Sequence, residues 1–172
     1  MKKSAKLGII VLAIGLSLLL GTVYRSTLTN SISLMNGAGV KPGMWSSEGG
    51  DGQQVLNPFF LSPRDLRLDV TSNGTIDLYV LDSEGIQLWT NQKTLKPIWS
   101  FFNVSQDIFN LHINSRNKYA FVIFNPSNST STFKMTITLH SYETDLLAIS
   151  MGFLATGILI TTGSIIRKTK KQ

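Results

Sequence analysis

The stretch LRLDVTSNGTIDLYV, residues 66–80, decides the fold class of this chain. Apolar and polar residues alternate over 66–70 and again over 76–80. A period of two residues places the apolar side chains on one face of a β-strand. Ser72-Asn73-Gly74, between the two segments, is typical of a turn. The stretch therefore predicts two strands of one sheet joined by a turn.

The same pattern continues towards the C-terminus. Asp82-Ser83-Glu84-Gly85 predicts a second turn. Further strands are predicted at 86–90, 109–113, 119–124 and 133–139. The run YAFVIF at 119–124 is apolar on both faces, as expected of a central strand. Because no helical pattern interrupts this series, we expect an all-β domain over residues 58–142, an antiparallel β-sandwich of six to seven short strands.

The segment that precedes this domain has a different composition. Residues 25–57 are rich in Gly, Ser and Asn, with glycines at 49, 50 and 52. Such composition is typical of loops. The sequence therefore predicts a linker over 25–57.

Two uncharged apolar runs flank these regions. Residues 7–24 (LGIIVLAIGLSLLLGTVY) and 146–166 (LLAISMGFLATGILITTGSII) contain no ionisable side chain except tyrosine. As helices they would be about 27 Å and about 31 Å long, close to the thickness of a bilayer core. The two runs predict transmembrane helices, which makes membrane lipid an expected partner.

The charges indicate how these helices would be oriented. The net charge of +6 comes from basic tails at residues 1–6 and 167–172, whereas residues 25–145 hold nine Lys/Arg and ten Asp/Glu. Lys and Arg beside a span prefer the cytoplasmic side. We therefore expect a multi-pass protein of the cell (plasma) membrane, with both termini cytoplasmic and residues 25–145 outside. A nucleic-acid partner is not expected, because the excess positive charge lies in the tails.

A cleaved signal peptide is the alternative for the first run, because a basic segment precedes an apolar core. However, no small-x-small cleavage site follows residues 7–24. The apolar run is also longer than the usual core of about 7–15 residues. The sequence favours an uncleaved anchor.

Small residues in both runs predict close helix packing, either between the two spans or with a partner. Such residues allow helix backbones to approach, and Ser or Thr can hydrogen-bond across the contact. The predicted packing residues are Ser17, Gly21, Gly152, Thr156 and Gly157.

Two further features of the outer segment suggest contacts with other molecules. Three N-x-S/T sequons predict glycan attachment in a host that glycosylates, at Asn73, Asn103 and Asn128. The segment LKPIWSFF concentrates apolar residues beside Pro97. It is either a core-plugging segment or an exposed patch for a partner or the membrane surface. The patch residues are Ile98, Trp99, Phe101 and Phe102.

The sequence does not show the usual signatures of an enzyme. With no cysteine, the chain cannot form disulfides or use thiolate chemistry. His112 and His140 fall on the polar sides of predicted strands and could meet around a metal if those strands are neighbours, although surface histidines are commoner. No nucleophile elbow, calcium loop or phosphate-binding glycine motif is present. We therefore expect no catalytic activity, no cofactor and no metal site.

The run from Asp69 to Tyr142 resembles the GOLD (Golgi dynamics) type of β-sandwich. The likeness rests on DVTSNGTIDLYVLDSEG and NKYAFVIFNPSNSTSTFKMTITL. Membrane members of that family likewise have a lumenal sandwich, a C-terminal span and a short basic tail. This chain departs from them in lacking a cysteine pair, a coiled-coil stretch before the second span and an aromatic pair in its tail. The resemblance implies a sandwich fold and a non-catalytic interaction role, without cargo-receptor function.

Two functional hypotheses follow. In the first, the protein presents its β-domain outside the membrane for protein–protein interaction or scaffolding. In the second, it is an accessory subunit of a respiratory or transport complex, with its spans docked against other subunits. The expected partners are other membrane-protein subunits or further copies of this chain.

Overall fold

A computed structural model describes residues 3–27, 30–46 and 58–169 of the chain. The chain divides into two compact units. The terminal unit comprises residues up to 28 and from 141 onwards, and the central unit comprises residues 29–140. The elements of the whole chain, in order, are α1 (Lys3–Thr27), β1 (Asn30–Val40), β2 (Trp45–Ser46), β3 (Phe59–Leu61), β4 (Arg64–Leu81), α2 (Ser83–Gln92), β5 (Trp99–Ile113), β6 (Asn117–Phe124), β7 (Ser131–His140) and α3 (Thr144–Thr169).

The central unit is one curled, antiparallel sheet of seven strands. Its main order is β1-β7-β4-β6-β2, with β5 paired to β4 and β3 paired to β6. The first half of β4 lies between β5 and β7, and its second half lies between β5 and β6. The prediction of an antiparallel β-sheet is confirmed, in the form of a curled half-barrel, whereas the expectation that no helix interrupts it is wrong because of α2.

The turn predicted at Ser72-Asn73-Gly74 is wrong, because β4 continues through it. The strand runs for 18 residues, and β5 remains its partner on both sides of this point apart from register shifts between residues 71 and 78. Gly74 instead allows the backbone of β4 to approach Ser131 closely. An added Cβ there would lie 2.6 Å from Oγ of Ser131. Ser72-Asn73-Gly74, which predicted a chain reversal, instead marks the place where one neighbour of β4 changes from β7 to β6.

The core lies on the inner face of this curled sheet. The alternation read from residues 66–80 keeps its phase through β4, so even-numbered side chains point inwards on both halves. Transfer of such apolar side chains from water is the main stabilising term of a domain. The fully buried inner residues include Leu66, Leu68, Ile76, Leu78, Ile113, Phe121, Ile123, Met135 and Ile137.

A helix covers part of the outer face, where a turn and a strand were predicted. The prediction of a strand over 86–90 is wrong, since residues 83–92 form α2. The carboxylate of Asp82 caps its first turn by accepting a hydrogen bond from the Gly85 amide at 2.9 Å. Trp89 packs on the outward side chains of Tyr79 and Leu81. A segment of five residues was too short to distinguish a strand from one face of a short helix.

The segment predicted as a linker contributes a full edge strand. Within 25–57, residues 30–40 form β1, which pairs with β7 from Asn30 opposite Leu139 to Val40 opposite Ser131. Register shifts interrupt the pairing at two places. Gly, Ser and Asn have low strand propensity, so the backbone pairing offered by β7 outweighs local preference here. Residues 47–57 of the predicted linker lie outside the described residues.

Candidate functional site

The terminal unit is an antiparallel pair of helices, α1 and α3. At one end the hydroxyls of Ser4 and Ser164 lie 3.0 Å apart. At the other end the Arg25 guanidinium and the Glu143 carboxylate lie 2.9 Å apart. The Glu143 side chain is only 1% exposed, whereas that of Arg25 is 56% exposed. The ion pair therefore links a buried acid to a solvent-accessible base.

Small residues line the seam between the helices. The buried residues of α1 are Gly8, Gly15 and Thr22, seven residues apart. In α3 the buried positions Ser150 and Gly157 have the same spacing. A repeat of seven residues keeps one face turned to the partner helix and favours left-handed crossing.

The backbones in this seam are close enough to exclude any larger side chain. An added Cβ at Gly157 would lie 2.8 Å from the Leu12 amide nitrogen, and one at Gly8 would lie 2.9 Å from that of Thr161. An added Cβ at Gly15 would meet the Leu154 amide nitrogen at 2.9 Å. Because the obstacle is backbone in each case, a substitution could be accommodated only by separating the helices.

This seam brings together only one of the five predicted packing residues, Gly157. Ser17, Gly21, Gly152 and Thr156 are exposed on other faces of the helix pair. An added Cβ at Gly21 or Gly152 would meet nothing within 4 Å. The sequence signal that identifies the seam is the spacing of seven residues, rather than the spacing of four used for the prediction.

Many large apolar side chains on the other faces of the helix pair are exposed. Both helices are long and apolar enough to cross a membrane. Exposed side chains include Leu7, Ile10, Leu20, Ile158 and Leu159. A groove of about 410 Å³ runs along this surface, lined by Val11, Ile149, Gly152, Phe153 and Thr156. Exposed apolar surface of this extent is atypical of a water-soluble protein.

The predicted aromatic patch is divided between the two faces of β5. Trp99 and Phe101 pack against the core, and Phe101 stacks on Phe109 with ring centroids 4.0 Å apart. Ile98 is 40% exposed and Phe102 is 63% exposed. Strand alternation separates these neighbours, which the sequence pattern had grouped into one surface.

Phe102 instead joins an aromatic cluster on the outer face of the sheet. Its ring meets Tyr79 edge-on at 5.9 Å, and Tyr79 lies 5.5 Å from Trp45. Trp45 continues the cluster to Trp89 at 5.1 Å and to Phe124 at 4.7 Å. Burial of the Tyr79 phenol raises its pKa, and the negative charge of Asp77 raises it further.

Tyr79 is expected to make the stability of the central unit fall at high pH. Its pKa is higher in the folded than in the unfolded chain, so its stabilising effect is complete below the unfolded value of about 10 and is lost as pH rises through the folded value. Chemical denaturation followed by tryptophan fluorescence at a series of pH values gives the free energy of unfolding. This free energy should fall less steeply with rising pH in Tyr79→Phe than in the wild type. Tyr142→Phe, which alters an exposed tyrosine, is the control. An equally steep decline in Tyr79→Phe would contradict the assignment.

The three sequon asparagines are all exposed, at three separate places. Asn73 lies in the middle of β4, where its side-chain oxygen accepts a hydrogen bond from the Thr132 amide at 2.7 Å. Asn103 lies within β5 with a positive φ of 56°, and its backbone N–H donates a hydrogen bond to Oδ1 of Asp77 at 3.0 Å. Asn128 lies between β6 and β7. Glycan attachment at these positions stays a prediction.

The two histidines flank one carboxylate. Asp65 on β4 lies opposite His112 on β5 and opposite His140 on β7. The Asp65 carboxylate and Nδ1 of His112 are 2.6 Å apart. Within residues 3–27, 30–46 and 58–169, no group of three His, Cys, Asp or Glu side chains could hold a metal ion. The arrangement is thus a surface hydrogen bond between Asp65 and His112, with a second histidine on the neighbouring strand.

No protein-family model matches this chain, and no curated protein matches it. Solved structures similar to it include PirA, at 12% identity and a TM-score of 0.37, over 65% of this chain and 93% of that one. The periplasmic g-type lysozyme inhibitor PliG of Aeromonas hydrophila matches at 7% identity and a TM-score of 0.35, over 66% and 83% of the two chains. The xylan-binding module CBM86 of Roseburia intestinalis matches at 6% identity and a TM-score of 0.36, over 69% of this chain and 98% of that one. None is a GOLD-type domain, and likeness at this level carries no functional argument.

Proposed function

We propose that this protein is a non-catalytic, two-span membrane protein that presents its β-domain outside the membrane for protein–protein interaction or scaffolding. The observation that carries the proposal is the helix pair. Its seam is formed by small and polar residues such as Gly8, Thr22 and Gly157, and its large apolar residues are turned outwards. This distribution is the reverse of that in a water-soluble bundle, and it suits a hydrocarbon environment.

The side-chain hydroxyls of the helix pair support the same proposal. Those of Thr22, Ser150 and Thr161 each donate to a backbone carbonyl of their own helix, at 2.9, 2.7 and 2.8 Å. A polar group without a partner would be costly in a bilayer, where water cannot satisfy it. Hydroxyls satisfied in this way can therefore lie in the hydrocarbon core of a membrane at little cost.

The connections of the central unit support an arrangement with both spans leaving the same domain. Its first residue in β1, Asn30, lies opposite Leu139 near the end of β7. The chain thus enters and leaves the β-domain on two paired strands. Together with the basic tails at 1–6 and 167–172, this supports cytoplasmic termini, a multi-pass location in the cell membrane and an outer domain within residues 25–145.

Single-cysteine labelling tests this topology, because the chain has no cysteine of its own. A membrane-impermeant maleimide applied to intact cells should label Thr130→Cys, in the exposed β6–β7 connection, and spare Lys3→Cys. Lysis should make Lys3→Cys reactive. Labelling of Lys3→Cys before lysis, or protection of Thr130→Cys, would contradict the proposed orientation.

The groove on the helix pair favours a second candidate, an accessory subunit of a respiratory or transport complex. Gly152 and Thr156 line this groove and do not contribute to the seam. Small residues on an outward face leave room for a further helix. Extraction from native membranes in mild detergent distinguishes the candidates. A particle of the 19.0 kDa chain with bound detergent would exclude the subunit role, whereas constant large partners would favour it.

A further inference from the structure

A pocket of about 270 Å³ lies in the central unit, between the start of α2, the start of β5 and the connection from β5 to β6. It is lined by Asp82, Ile98, Trp99, Asn114, Ser115 and Tyr119. We propose that this pocket, called here the Trp99 pocket, binds a single sugar ring through its hydroxyl groups. The proposal adds a ligand site to the presentation role and does not depend on the membrane topology.

The polar groups of the Trp99 pocket are held in place by the fold. One carboxylate oxygen of Asp82, Oδ1, caps α2 at the Gly85 amide, which orients the side chain. Among the described residues, the other oxygen, Oδ2, accepts no hydrogen bond. Tyr119 donates its hydroxyl to the Ser115 carbonyl at 2.9 Å, and the two hydroxyls lie 3.3 Å apart. Groups fixed before binding lose little conformational entropy when a ligand arrives.

The chemical character of the lining fits hydroxyl groups. The Asp82 carboxylate accepts hydrogen bonds, the indole N–H of Trp99 donates, and the Asn114 amide does both. A sugar hydroxyl also donates and accepts, so vicinal hydroxyls can use this mixed set. A cationic amine, which only donates, would engage Asp82 and leave the donors of the pocket unused.

The shape and size of the pocket are also consistent with one ring. Trp99 is half-buried, so part of its indole packs on the core while part borders the pocket. An aromatic side chain beside polar groups suits a ligand that has both C–H and hydroxyl groups. The volume of about 270 Å³ is just below the range of about 300–1,000 Å³ typical of drug-sized ligands. A single ring fits this space better than an oligosaccharide does.

Titration of the full-length protein in detergent with monosaccharides, followed by tryptophan fluorescence, tests the proposal. The test variant is Asn114→Ala, which removes an exposed side chain of the pocket without touching the core. Asn110→Ala, exposed on β5 and not part of the lining, is the matched control. Methyl glycosides separate the two sources of the ligand: a terminal sugar of a glycan retains binding when the anomeric hydroxyl is blocked, and a free reducing sugar does not. Methylammonium, which donates hydrogen bonds and accepts none, is the cationic probe.

We expect saturable binding of at least one monosaccharide, with a dissociation constant in the range of about 1 mM. The constant should rise about tenfold in Asn114→Ala, because one or two hydrogen bonds are lost, and stay unchanged in Asn110→Ala. Saturation by methylammonium alone would overturn the proposal in favour of a cation site. Absence of saturation by any sugar, or equal binding by Asn114→Ala, would also overturn it. None of these results would affect the labelling test of topology.

Discussion

Replacement of Gly157 by isoleucine is expected to destabilise the pair of α1 and α3 by about 2–3 kcal/mol, the upper part of the range for overpacked sites. An added Cβ would lie 2.7 Å from Cγ of Leu12 and 2.8 Å from its amide nitrogen. The side chain of Leu12 could rotate away, but its backbone could not. The helices would have to separate, which would weaken the neighbouring contacts at Gly8 and Gly15 as well.

Disulfide trapping measures this separation directly. The chain has no cysteine of its own, so the double variant Ser4→Cys, Ser164→Cys contains a single possible disulfide. The two serine hydroxyls are 3.0 Å apart, and an oxidant should therefore cross-link the two cysteines rapidly. Gly157→Ile should slow the cross-linking and lower the resistance of the helix pair to unfolding in denaturing detergent. Gly152→Ile, in the same helix with nothing within 4 Å, is the matched control and should leave both unchanged. Equal effects of the two substitutions would show that the seam does not lie where the structure places it.

Asn125→Leu is expected to lower the free energy of unfolding of the central unit by about 3 kcal/mol or more. Asn125 is fully buried at the end of β6. Its Nδ2 donates to the carbonyls of Val40 and Ser129, at 2.7 and 2.8 Å. Its Oδ1 accepts from the amide and hydroxyl of Ser127 and from the Ser131 hydroxyl. Leucine has a similar volume but leaves these groups unpaired, at a cost of about 1–3 kcal/mol for each one that stays buried.

Urea unfolding monitored by tryptophan fluorescence gives the measurement, because all three tryptophans lie in the central unit. Asn128→Ala, in the same β6–β7 connection but exposed, is the control, in protein made without glycosylation. It should change stability by less than about 0.5 kcal/mol. If Asn125→Leu changed the free energy of unfolding as little as the control does, the hydrogen bonds of Asn125 would not stabilise the contact between β1 and the β6–β7 connection.

Several elements could be predicted because their signals are local. The alternation in β4 and β7 persists in the structure with the predicted side chains inwards, as for Leu68 and Ile137. Alternation reports burial on one face of a sheet, and burial is a strong constraint on each residue. The two apolar runs form helices, as predicted from their length and lack of charge, which are local properties of the sequence.

Other elements depended on partners that are distant in the sequence. Residues 30–40 have the composition of a loop and became β1 because β7 supplies hydrogen bonds along their length. Residues 86–90, predicted as a short strand, became part of α2 because Asp82 caps the helix and Trp89 packs on Leu81. In both cases long-range packing outweighed weak local preference.

The sequence by itself determined the class of the protein: an all-β region between two apolar helices, with its positive charge in the tails. Periodicity, apolar length and charge are properties of consecutive residues, so they can be read without knowing what packs against what. Only the tertiary structure decided that Gly8, Gly15 and Gly157 form the seam and that Asp82 and Asn114 line one pocket. These groupings join residues far apart in the chain. Local sequence preferences allow many such groupings equally well, and only backbone pairing and close packing in the folded state select one of them.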